Sequence, residues 1–412
     1  MIAGMTMRRI GVPARDLICM AAFQSFLVFA YFVSKNTSAK LMIAALVVVV
    51  ATDATLFRER LPRAVMAGLI GVAAFGLWSV VGLIVNAIPW SRAGETMASF
   101  LLLGLVILAG RRLLACCDMR LIYLSIIAIA CLSALASVML HLAEGQGWGD
   151  RLVPLGRPGN SIPGAAGFCI ALIAAAALMR GDFALSRVQK ALLLTALVPL
   201  LTAVVMTQSR GPMIAAAVAL AAMLAPWRLS SGRLAALALA NWALVTGLVF
   251  ADPYLRSLFC TDQASFCRPS ERLQIWGWVV ENVAKHPISG LTPVYRFTDS
   301  IFNHPHNGLL GTMMFFGVPG LVLLLGLAFV YGRHLSGRSG EIGLFASGAL
   351  IFSFGYMGSD LSNPFAFANM HYLFLWLPIA FALAAPSGHA SQTAGAAARQ
   401  SIAGKSGNRF FA

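Results

Sequence analysis

The sequence predicts an all-α, polytopic helical membrane protein of about 12 transmembrane helices, and three observations lead there. Of 412 residues, 59% are hydrophobic and only 11% charged, against roughly 45–50% and about 25% in soluble domains. The apolar residues fall in runs that match the roughly 20 residues a helix needs to cross a bilayer, and the mean hydropathy is +0.80. The basic residues gather on alternate connections, the pattern expected of a multi-pass chain.

Taken in order, the first apolar run (16–33) follows Arg8, Arg9 and Arg15. It could be a signal peptide, but Tyr31-Phe32-Val33-Ser34-Lys35 offers no small-x-small cleavage site, so a retained anchor is expected. Runs at 41–57, 64–86, 97–110 and 121–142 follow, separated by polar or arginine-bearing links. The run at 163–179 opens after Asn160-Ser161, that at 191–206 ends at Thr207, and that at 211–226 opens after Ser209. Asn, Ser and a first-turn proline (Pro163, Pro212) are residues that start helices. After 234–251 and a long polar loop, runs at 308–331, 341–357 and 369–385 complete the set.

Placing the N-terminus in the cytoplasm puts 19 Lys and Arg on inside segments and six on short outside connections, the other five lying in the long outer loop. Both termini are therefore expected inside. The net charge of +15 is then largely a topology signal, and no nucleic-acid partner is needed to explain it.

The expected organisation is a single transmembrane domain over residues 1–385, with outer loops at about 143–162 and 252–307, and a disordered cytoplasmic tail at 386–412. Within the larger loop, Leu273, Trp276, Val280 and Val283 recur at helical spacing and predict an amphipathic helix at the outer surface. Cys260 and Cys267, the two outer-loop cysteines, could form a disulfide or stay unpaired.

The spans carry no obvious ionisable side chain at mid-depth, their polar exceptions being residues such as Gln24 and Asn241. Ion-coupled transporters usually place ionisable groups there, which weakens a transporter or lipid-linked-sugar flippase reading. Polar interest concentrates at three outward helix starts: Arg157 to Ser161, Thr207 to Pro212 and His304 to Asn307. Such starts expose unpaired N–H groups and attract anions, and Arg157 and Arg210 add full charge. If the three converge they form a site for a multiply charged anion such as a diphosphate. The i, i+2 spacing of His304 and His306 is expected to point them to opposite sides, so no shared metal is expected.

At these residues the sequence resembles the O-antigen ligase family, with its relatives the O-antigen polymerases and O-linked oligosaccharyltransferases. The resemblance rests on Ser209-Arg210-Gly211, then Arg272 with Trp276, then His286-Pro287-Ile288-Ser289-Gly290, then His306-Asn307-Gly308-Leu309 leading into Gly317-Val318-Pro319-Gly320-Leu321. It is specific over about 205–325. It implies a glycosyltransferase in the bacterial inner membrane with its site facing the periplasm, inverting and independent of metal or cofactor. Its donor would be O antigen on undecaprenyl diphosphate, its acceptor a sugar hydroxyl of lipid A–core, and membrane lipids would surround it.

Carried over, Arg210 and Arg272 look like the family's diphosphate-binding arginines and His306 like its catalytic histidine, with His304 the weaker candidate. Ser209 and Asn307 belong with substrate binding through their helix starts, and Arg157 and Arg296 are added from charge and placement alone. Ligase and polymerase share a donor and differ in acceptor, so the sequence leaves that choice open.

Overall fold

The computed structural model describes residues 13–56, 58–156, 159–181, 183–225, 230–259, 270–295, 297, 304–335 and 340–385. Arg157, Arg296, Cys260, Cys267 and the tail at 386–412 lie outside the described residues.

The described chain is helical. In order it forms α1 (Ala14–Phe32), α2 (Lys35–Ala51), α3 (Arg63–Val85), α4 (Trp90–Cys116), α5 (Met119–Ala143), α6 (Ser161–Arg180) and α7 (Arg187–Met206). Then follow α8 (Arg210–Leu224), α9 (Ser231–Phe259), α10 (Arg272–Lys285), α11 (Gly308–Leu335) and α12 (Glu341–Met357). A π-helical turn, Tyr372–Trp376, runs into α13 (Leu377–Ala384). Each predicted apolar run coincides with a helix, and eight helices among the described residues are long and apolar enough to cross a membrane. The protein is thus a polytopic helical membrane protein.

The second predicted run sits several residues too late. Its helix starts at Lys35, because Ser38 donates to the Phe29 carbonyl (2.6 Å) and draws the polar stretch into a tight α1–α2 hairpin. It stops at Ala51, where the Asp53 carboxylate accepts from the Thr55 N–H (3.0 Å) and starts a turn.

Helix α6 is the central post. Its most apolar window is 83% buried, against 22% for α7, and it packs against α5, α7, α8 and α12. Its alanines at 165, 166, 171 and 174–177 let those neighbours come close, and close packing drives helix association where burial from water cannot. Polar side chains staple the interior, Asn241 among them. Asn241 on α9 donates to the carbonyls of Ala215 on α8 (3.1 Å) and Ile351 on α12 (2.9 Å).

Two of the sequence motifs meet at a break in α11. Gly317 there adopts φ 70°, ψ −176°, a conformation close to exclusive to glycine, and Pro319 lacks an N–H. The backbone groups freed by the break find outside partners. Val318 N–H donates to the Pro287 carbonyl (2.8 Å), and the Trp78 indole donates to the Phe316 carbonyl (2.7 Å). A Cβ on Gly317 would sit 1.9 Å from the Ile288 oxygen. Gly317→Ala is therefore expected to cost more than the roughly 1–3 kcal/mol of the backbone conformation alone. A melting curve of the detergent-purified variant checks this, and an unchanged midpoint would show that the break can relax.

Helix α10 is amphipathic as predicted, with its buried face rotated from the expected one. Ile275, Trp276 and Val279 face inward, whereas Val280 is exposed. The rotation follows from Trp276, whose indole N–H donates to the Pro305 carbonyl (3.0 Å) and ties α10 to the histidine-bearing segment.

Candidate site at the starts of α8 and α11

The Ser209-Arg210-Gly211 turn opens α8 through a left-handed Gln208 (φ 50°), whose side-chain amide is held by the Gly149 carbonyl (2.9 Å). Gly211 has no room for a side chain, since a Cβ would lie 1.9 Å from Ser359 Oγ in the loop after α12. That approach matters because the neighbouring Ser359 carbonyl accepts from Arg272 Nε (2.8 Å). Glycine thus brings the α8 start and the α10 arginine against one loop.

Arg210 and Arg272 line the same cavity of about 380 Å³, together with Arg151. Arg210 pairs with Asp252 (2.7 Å), which also meets Arg256 (3.2 Å), and Asp252 is the one carboxylate among the described lining residues. Arg272 spends two donors on the protein, Nε on Ser359 and Nη1 on Ser270 Oγ (3.2 Å). Burial first, and the charge of Arg210 after it, push Arg272 below its usual value, while Asp360 and Asp252 act the other way. The lining also includes the apolar Ile162, Ile214, Val245, Leu248, Val249 and Leu255.

Beside Arg272 lies a second group. His306 Nδ1 is 3.2 Å from Asp360 Oδ1, and Asp360 Oδ2 accepts from the Tyr356 hydroxyl (3.0 Å). Asp360 is buried, which alone would raise its pKa, but the hydrogen bond and charge of His306, then the charges of His304 and Arg272, hold it below the ordinary carboxylate range. When His306 is neutral, an ionised Asp360 selects the tautomer with hydrogen on Nδ1, which leaves the Nε2 lone pair able to accept a proton. His306 is itself left-handed (φ 51°), and its N–H donates to Ser362 Oγ (3.1 Å), so the loop after α12 fixes ring and backbone alike.

The expectation that His304 and His306 diverge is overturned. Their ring centroids lie 3.5 Å apart, and His304 Nδ1 is 2.6 Å from the same Ser362 hydroxyl. Pro305 and the positive φ of His306 curl the segment, so the alternation of a strand does not apply. Burial, followed by the charge of His306, depresses His304 to about 4. Because His304 resists protonation in the folded chain, folding stability should rise with pH between about 4 and 6.5 and fall as pH drops through that window. His304→Gln should flatten this part of a melting-temperature profile, and an unaltered slope would assign it to another group. The ligand atoms of His304, His306 and Asp360 lie within 4.8 Å of one another, close enough to share a cation.

The helix starts differ in chemistry. Asn307 caps α11, accepting from Leu309 (3.1 Å) and Leu310 (3.2 Å) N–H, and Asn160 caps α6, accepting from Ile162 N–H (3.0 Å). Ser209 does not cap α8. Its hydroxyl donates back to the Thr207 carbonyl (3.2 Å) and accepts from Arg151 Nη2 (3.4 Å). Buried Gln208 Oε1, Asn307 Nδ2 and Ser359 Oγ find no partner among the described residues. A further cavity of about 700 Å³ is lined by His304, Asp360 and Asn363, so consecutive residues Ser359 and Asp360 line one cavity each.

The structure therefore brings Arg210, Arg272, Ser209, His304, His306 and Asn307 to one end of the bundle. It adds Arg151, Ser359, Asp360, Tyr356 and Ser362, which sequence reasoning missed. No curated protein matches the chain. Residues 195–325, which carry Arg210, Arg272 and His306, match the family model described as O-Antigen ligase; this bears out, over that stretch, the resemblance read from the sequence and points to a function of the O-antigen ligase or polymerase type.

Proposed function

We propose that the protein is an O-antigen ligase, a glycosyltransferase that moves O antigen from undecaprenyl diphosphate to a sugar hydroxyl of lipid A–core at the periplasmic face of the inner membrane. The observation that carries this reading is the shared cavity of Arg210 and Arg272 beside the His306–Asp360 pair. The arginines receive the diphosphate, and the apolar Ile214, Val245 and Leu248 take the first isoprene units. Each buried CH₂ contributes about 0.8 kcal/mol, so tail and headgroup bind together.

In the reaction, His306 Nε2 takes the proton of the acceptor hydroxyl as its oxygen attacks the anomeric carbon. The bond from that carbon to the diphosphate oxygen breaks on the opposite face, which inverts the configuration. The leaving electron pair develops as charge on the diphosphate, which Arg210 and Arg272 stabilise with forked donors. Asp360 steadies the imidazolium that forms. The cavity lined by His304 and Asn363 offers the acceptor sugar its place.

Deletion of the gene tests the assignment. Loss of all polymer on lipid A–core, with lipid-linked polymer accumulating, is expected of a ligase, whereas a single attached repeat unit would indicate a polymerase using the same donor. With purified protein, transfer should persist in EDTA. Loss of activity restored by a divalent cation would instead place a metal on His304, His306 and Asp360.

A further inference from the structure

Away from this site, where α1 begins and α4 ends, three cysteines and a methionine meet. Cys116 Sγ lies 3.1 Å from both Cys19 Sγ and Cys117 Sγ, and Cys117 Sγ lies 2.7 Å from Met20 Sδ. Cys19 is buried, and Cys116 and Cys117 are partly exposed, so an ion could enter from the helix ends. The three thiols offer ligand atoms within 4.8 Å of one another. Arg112 adjoins them through hydrogen bonds to Thr52 Oγ1 (3.0 Å) and Asp16 Oδ1 (2.5 Å), and its charge reaches Cys19 and Cys116.

We propose that Cys19, Cys116, Cys117 and Met20 form a binding site for monovalent copper that clasps α1 to α4. The donor set decides the metal. Thiolate and thioether sulfur select soft ions, and an all-sulfur set that includes a thioether suits Cu(I) better than Zn(II), which prefers thiolate and imidazole. Sulfurs at about 2.3 Å from a central metal stand nearly 4 Å from one another, so these need part by only about 1 Å to admit the ion. Two thiols release their protons to solvent and the resulting copper dithiolate carries one negative charge, within coulombic reach of Arg112, which also pairs with Asp16. The third cysteine and Met20 complete the shell without further charge. Copper stays Cu(I) throughout, so no oxidant or reductant is needed.

The full chain, purified in detergent and kept reduced and anaerobic, should take up one equivalent of Cu(I) in competition with a chromophoric Cu(I) chelator. Cys19→Ser should abolish this uptake, Met20→Leu should weaken it about tenfold or more, and Cys169→Ser should leave it unchanged. On the unaltered chain, bound Cu(I) should protect Cys116 and Cys117 from alkylation, a readout that requires no variant to fold. Uptake that survives Cys19→Ser in a folded protein would overturn the proposal. So would absence of protection, or a disulfide among the three found by mass spectrometry of the protein as isolated from cells.

Discussion

His306→Ala should lower transfer by roughly 10²–10⁴-fold while donor affinity stays near that of the unaltered protein, because it removes the proton acceptor and none of the arginine donors. The distinction is geometric. His306 owes its tautomer to Asp360 and its ring position to the Ser362 loop, whereas Arg210 and Arg272 are held by Asp252, Ser359 and Ser270. Asp360→Asn should cost nearly as much as losing the histidine. A neutral amide can donate to Nδ1, which moves the ring hydrogen to Nε2 and turns the base into a donor. His304→Ala should cost less, since its Nδ1 meets a serine and no carboxylate. Turnover of purified protein with defined donor and acceptor, alongside donor binding, checks the order. Near-normal turnover by His306→Ala would remove it as the base and leave His304 to be tried next.

What the sequence made legible was set by how local the signal is. Apolar runs and the alternation of arginines are local, so most helices lie within a few residues of their runs; the exceptions are α2, where a polar stretch is helical because of one serine-to-carbonyl bond, and α4 (Trp90–Cys116) and α9 (Ser231–Phe259), which continue past the apolar runs 97–110 and 234–251 into polar sequence. Arg210 and Asn307 were legible because helix starts have a chemical signature of their own. Asp360 was not, since its role depends on a contact 54 positions away with His306. Still, a signal existed: in a chain with 15 acidic residues, a carboxylate at the outer end of a span is costly unless partnered. Arg151, an arginine on the side that the charge rule disfavours, carries the same signal as Arg210 and lines the same cavity. The histidine pair was misread because strand alternation was assumed where Pro305 and a left-handed His306 make a curl.

Arg272 should be less tolerant of lysine than Arg210 is, and both variants should fail at the donor. Arg272 lies in the covering helix with Nε on the Ser359 carbonyl and Nη1 on Ser270, so its guanidinium both builds the cavity wall and offers its remaining N–H groups to the diphosphate. An ammonium has one nitrogen and cannot fill both roles. Arg272→Lys would leave the Ser359 carbonyl without its donor as well as weakening the phosphate contact. Among the described residues Arg210 pairs with Asp252, which Arg256 also meets, so Arg210→Lys keeps a charge over the cavity and loses only the fork. Hydrogen bonds to a charged group are worth about 1.5–3 kcal/mol each, which sets the expected loss at roughly ten- to hundredfold for Arg210→Lys and more for Arg272→Lys. Because the same charge meets the leaving diphosphate, kcat should fall together with donor affinity, unlike the pattern of His306→Ala. Donor titrations at saturating acceptor separate the two. Full activity in Arg272→Lys would mean that the diphosphate is held elsewhere, with Arg151 the next arginine on the same cavity wall to substitute.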